Sequence, residues 1–148
     1  MKKLMSLLLV VLAVSAVSSL ACTGAGSNDN GNTTIGTRVS VDGGFYTNVN
    51  SSELNQMLKN KDFILVNTDL IVTKAIPDTD LYIPMNEVLA DLSLVSQNKE
   101  EKIVIYCMVG ANSSVVAAEF VRMGYTNIYN LSGGITEWEQ QGYPVVTP

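Results

Sequence analysis

The segment IVIYCMVGANSS, residues 103–114, sets a thiol between an apolar run of strand length and two serines suited to opening a helix. Where a strand bends into a helix N-terminus, several backbone N–H groups point at one spot, and such a spot favours an anion. The anion available is the sulfur of Cys107, and the thiolate is the nucleophilic form of cysteine. The spacing therefore marks Cys107 as a candidate nucleophile and Met108, Val109, Gly110, Ala111, Asn112 and Ser113 as the residues that would hold the group it carries. On the strand ending alone, a small buried hydrophobe is the commoner use of such a cysteine. Gly110 permits the tight turn, and Ser113 and Ser114 are helix-start residues first and donors to a bound sulfur second.

The composition narrows the chemistry further. The 148 residues contain no histidine, which removes an imidazole base, a Cys–His pair and a histidine metal ligand. No metal or cofactor is expected. Net charge is −5, and the acidic excess argues against nucleic acid as a partner. Hydrophobic residues make up 47% of the chain, enough for one domain to bury a core.

The elements that must position Cys107 alternate along the chain. A short strand near residues 46–49 leads to a helix announced by Asn50 and, three residues on, Glu53, a capping-box spacing, with Leu54, Met57 and Leu58 on one face. FILVN, residues 63–67, is a continuous apolar run of strand length, as expected for a strand covered on both faces. A loop over 68–80 contains Pro77, and Asp69 and Lys74 in it read as solvated loop charges at the rim of the pocket. Tyr82 and Ile83 form a short strand, and a helical pattern runs over 84–95. The strand 103–106 enters the cysteine loop, a helix over 113–123 stops at Gly124, a strand spans 127–129, and a last helix over 135–141 stops at Gly142. Ile135, Trp138 and Tyr143 read as core. This alternation predicts an α/β fold, a parallel sheet with helices on both faces and right-handed crossovers, in which ligands collect beyond the carboxyl ends of strands.

The N-terminal residues have a different character. Lys2 and Lys3 precede an apolar stretch from Leu4 to Val17 that is too short to span a bilayer, the pattern of an export signal. Its end, Ser18-Ser19-Leu20-Ala21-Cys22, resembles the lipobox of bacterial lipoproteins, which implies acylation of Cys22 and an exported protein, lipid-anchored to a bacterial membrane and facing the periplasm or the cell exterior. Loss of Lys2 and Lys3 would bring the net charge to −7 and leave Cys107 as the sole unmodified thiol. Residues 23–42, rich in Gly, Ser, Asn and Thr, read as a flexible tether. The expected organisation is a signal peptide over 1–21, the lipidated cysteine and linker over 22–42, and one domain over 43–148.

The cysteine loop followed by VAAEFVRMGYTNIYNLSGGITEWEQQGYPV resembles the second half of a rhodanese domain, and the likeness runs over residues 44–146. The cysteine loop joined at this distance to Gly133-Gly134-Ile135 and Trp138 carries it. The resemblance implies a rhodanese-type α/β fold and a persulfide on Cys107. It also implies transfer of sulfane sulfur from a small donor, thiosulfate or a persulfide, to a thiol acceptor. Two departures from the family pattern stand out. Asn112 replaces the usual loop arginine, and Asn67-Thr68-Asp69 stands where many members have Asp-x-Arg. Loss of the arginine favours persulfide chemistry over efficient thiosulfate binding, and it keeps open a catalytically weak or inactive binding or redox-sensing module. A third option, hydrolysis of phosphate or arsenate esters, is disfavoured by a short loop without positive charge.

Overall fold

A computed structural model describes residues 34–148. The signal peptide and Cys22 lie outside the described residues. The strands are β1 Thr37–Val41, β2 Gly44–Val49, β3 Ile64–Asn67, β4 Leu81–Tyr82, β5 Ile103–Tyr106 and β6 Ile128–Leu131. They form one sheet in the order β1-β2-β6-β5-β3-β4, in which only the β1–β2 pair is antiparallel. The helices are α1 Ser51–Leu58, α2 Met85–Ala90, α3 Ala111–Arg122 and α4 Gly134–Gln140. None of the described helices is long and apolar enough to cross a membrane.

Strand β5 lies inside the sheet and explains its own composition. Ile103, Val104, Ile105 and Tyr106 are all 0% exposed, so an apolar side chain is needed at every position rather than at alternate ones. Ile103 and Ile105 face a core built with Val88 of α2 and Val116, Ala117 and Phe120 of α3. Val104 and Tyr106 face the opposite core, with Leu54 of α1 and Ile135 and Trp138 of α4. Full burial of each such side chain stabilises the fold by about 1.5–3 kcal/mol. Two helix-bearing layers therefore clamp the strand that delivers Cys107.

Local signals set most boundaries. The capping box at α1 is complete: Asn50 Oδ1 accepts the Glu53 N–H and the Glu53 carboxylate accepts the Asn50 N–H, both at 2.9 Å. The helical pattern expected over 84–95 is divided. α2 stops at Ala90, Asp91 takes an extended conformation, and a 3-10 turn covers Leu92–Leu94. Asp91 Oδ1 accepts the Ser93 N–H at 2.9 Å, a local bond that competes with continuation of the helix. α3 begins earlier than expected, so Ala111 and Asn112 belong to its first turn and Gly110 is its N-cap.

The tether expected over 22–42 is corrected at its C-terminal end. Thr37–Val41 is strand β1, paired in register with β2 from Thr37 opposite Asn48 to Val41 opposite Gly44. Its Arg38-Val39-Ser40-Val41 alternation and the Asp42-Gly43 turn are hairpin signals that the polar composition upstream obscured. The unit that contains the sheet runs from Thr34 to Pro148. A chain starting at Thr34 is expected to unfold at higher urea than one starting at Gly44, by on the order of 2 kcal/mol, from about 0.5–1.5 kcal/mol net per ladder hydrogen bond. Equal denaturation midpoints would show that β1 adds nothing.

Candidate active site

Cys107 follows β5 directly and is 2% exposed. Its Sγ accepts the backbone N–H of Ser113 and the Ser113 hydroxyl, each at 3.4 Å. The same hydroxyl lies 3.2 Å from the Gly110 carbonyl, so its one proton is shared between two acceptors. Ser113 is itself 0% exposed, and it is the third residue of α3. The sulfur thus sits on the helix N-terminus, where orphan amides and the helix dipole favour negative charge. Among the described residues, the amides of Val109, Gly110, Ala111 and Asn112 donate to no protein acceptor. They form the free face of the loop.

Two other elements shape that loop. The first residues of α4 face its carbonyls: Ile135 N–H donates to the Cys107 carbonyl and Thr136 N–H to that of Met108, both at 3.0 Å. These two bonds fix the first two peptide units of the loop. The approach is close enough to demand glycines. Gly134 has φ +60°, and a Cβ there would overlap the Cys107 and Met108 carbonyls. Gly110 has φ +84°, and a Cβ there would overlap the Ser132 carbonyl.

The third element is the 68–80 loop, stitched to the end of β5. Thr68 N–H and Oγ1 both donate to the Tyr106 carbonyl, at 2.9 and 3.1 Å. The Tyr106 hydroxyl accepts the Ile76 N–H at 3.1 Å and lies 2.8 Å from Thr79 Oγ1. Burial pushes the Tyr106 phenol above its ordinary range. This stitching brings Asp69 under the cysteine loop, where its Oδ1 accepts the Met108 N–H at 2.8 Å and its own N–H donates to Asn67 Oδ1, also at 2.8 Å. Burial raises the Asp69 carboxyl above its ordinary value, against the opposing effect of those hydrogen bonds.

The residues expected at the site are mostly brought together, with two corrections. Met108 does not offer its amide to the sulfur, because Asp69 holds it. Asp69 is not solvated but 8% exposed, whereas Lys74 is exposed and pairs with Glu139 at 2.6 Å. The signal for Asp69 was a register: Asn67 lies opposite Tyr106 in parallel strands, so the residue two beyond each strand end, Asp69 and Met108, are neighbours. Strand order, which the sequence left open, was needed to use it.

The model of the rhodanese-like domain family matches residues 66–141. The chain belongs to the rhodanese-like domain family. A sulfurtransferase from Allochromatium vinosum is 34% identical over 104 residues, covering 68% of this chain and 94% of the relative. A thiosulfate sulfurtransferase from Actinobacillus pleuropneumoniae is 33% identical over 48 residues, 32% of this chain and 44% of the relative. In structure, a rhodanese-related protein from Thermoplasma volcanium superposes with a TM-score of 0.57 at 24% identity, covering 68% of this chain and 98% of that one. This rhodanese-like domain therefore shares its fold with such proteins and has sulfurtransferases among its relatives.

A group whose folded pKa is raised favours the fold while protonated, and that contribution is lost as pH rises through the raised value. Asp69→Asn removes this loss. Its melting temperature is expected to exceed that of the wild type at neutral pH, and the gap to close as pH falls to the ordinary carboxyl value of 3.8. A gap that does not narrow in a pH series of calorimetric melts would contradict a carboxyl raised by burial.

Proposed function

We propose that this rhodanese-like domain is a sulfurtransferase in which Cys107 carries sulfane sulfur as a persulfide. The observation that supports it most is the double donation of Ser113 to Sγ beside a face of free loop amides. The same N–H and O–H groups can donate to the sulfur before loading and to the bound sulfur after it. The Cys107 thiolate attacks the outer sulfur of the donor, a Cys107 S–S bond forms, and the donor's S–S bond breaks. With thiosulfate the leaving group is sulfite; with an organic persulfide it is the thiolate. Attack by an acceptor thiol on the outer sulfur then returns Cys107 to the thiolate. No external oxidant or reductant enters either step.

The relatives' names support a sulfur donor and a thiol acceptor as the partners of the reaction. Thiosulfate is expected to be a poor donor, since the exposed residue Asn112 supplies no charge in the first turn of α3. The lipoprotein-like residues 1–22 support a place for this chemistry on the outer face of a membrane.

Incubation of the full chain carrying Cys22→Ala with a polysulfide, followed by intact-mass measurement, is expected to add sulfur that cyanide discharges, and the further change Cys107→Ser is expected to add none. Sulfur retained after Cys107→Ser, or absent from the chain that keeps Cys107 with every donor, would refute the proposal. Asn112→Arg should raise the rate with thiosulfate by about ten- to a hundredfold, from about 1.5–3 kcal/mol for charge-assisted bonds to the donor. A steady-state assay showing an unchanged or lower rate would remove the missing charge as the limiting factor.

A further inference from the structure

The charges near Cys107 have one sign. Asp69 contributes the carboxylate bonded to the cysteine loop, buried to 8% exposure and 2.8 Å from the Met108 amide. The segments that build the site, residues 68–73, 107–114 and 132–136, contain no lysine or arginine. Lys74, the next residue of the 68–80 loop, is turned to Glu139 of α4. A buried charge is screened by salt much less than an exposed one, so the carboxylate acts on whatever approaches the sulfur.

The same two loops present apolar side chains outward. Leu70 and Ile71, which follow Asp69, are 66% and 78% exposed, and Met108 and Val109, which follow Cys107, are 43% and 58% exposed. The Asp69–Met108 hydrogen bond joins these two pairs at their bases. An approaching molecule therefore meets apolar contact surface around a negative centre.

We propose that Asp69 is the residue that selects the sulfur donor, disfavouring dianionic thiosulfate relative to an organic persulfide, which carries at most one negative charge. The inference rests on the sulfurtransferase reading and adds the donor class to it. Selection works by repulsion: the carboxylate penalises the wrong donor without touching the right one, while the apolar rim receives the organic part of a persulfide. The persulfide reacts in its protonated form: the Cys107 thiolate attacks the outer sulfur of R–S–SH, the Cys107 S–S bond forms, the donor's S–S bond breaks, and R–S⁻ leaves. Asp69 acts on the approach of the donor and also positions the loop through Met108.

The test measures second-order rates of Cys107 loading in the full chain, with thiosulfate and with the persulfide of N-acetylcysteine methyl ester, each divided by its rate with a simple free thiol. The wild type should prefer the persulfide by about tenfold or more, since like-charge juxtaposition costs several kcal/mol. In Asp69→Asn, whose side-chain oxygen still accepts the Met108 N–H, that preference should fall by about tenfold. A structural role alone would slow both donors together and leave the ratio in place, which would overturn the inference. Should the variant not fold, the wild type decides: its preference should survive about 0.5 M salt, because repulsion from exposed charges disappears there. A preference that vanishes in salt overturns the assignment to Asp69. If neither donor loads Cys107 in the wild type, the sulfurtransferase reading itself fails; if both load it equally, only the donor selection does.

Discussion

The cysteine loop depends on two hydrogen bonds that it does not make with itself. By donating from Ile135 and Thr136 to the Cys107 and Met108 carbonyls, the start of α4 fixes the first two peptide units of the loop. The first gives its N–H, that of Met108, to Asp69, and the second leaves the Val109 N–H without a protein acceptor, so the loop is set in part by a helix that comes more than twenty residues later. The glycine at position 134 exists because this contact brings two backbones together. Ser113 then supplies from α3 what the loop lacks, a hydroxyl and an amide on the sulfur itself. The site is the meeting of two helix N-termini, separated along the chain by α3 itself and by strand β6.

Much of this was readable in the residues. The four apolar positions of β5 called for a strand buried on both faces, and the Asn50–Glu53 spacing named the start of α1. The types and spacing around Cys107 marked the loop, and the joined motifs marked the family. What escaped was of two kinds. The pairing of Thr37–Val41 was hidden by a polar neighbourhood, since a five-residue edge strand with intermediate and exposed side chains carries little hydrophobic signal. The place of Asp69 was hidden because its partner is 39 residues away and the two meet only through the order β5-β3. Local pattern speaks to neighbours along the chain, whereas the loop chemistry is settled by neighbours across the sheet.

The electrostatics of the site differ in kind from those of a cation-assisted one. A nearby arginine would stabilise any anion, on the donor as well as on the enzyme. Backbone dipoles are short in range and favour only what sits directly on them. In this loop the Ser113 amide lies against the sulfur and the Asp69 carboxyl against the Met108 amide. An acid and a nucleophile share one small region because separate hydrogen bonds bind each to a different part of the backbone.

The depth of Sγ sets the geometry of delivery. At 2% exposure the cysteine is too recessed for two copies of the protein to be joined through it without opening the loop. A bound sulfur extends the side chain by an S–S bond of about 2 Å. On the proposed reaction, a second molecule would then reach the outer sulfur before Sγ, which would steer discharge away from a mixed disulfide.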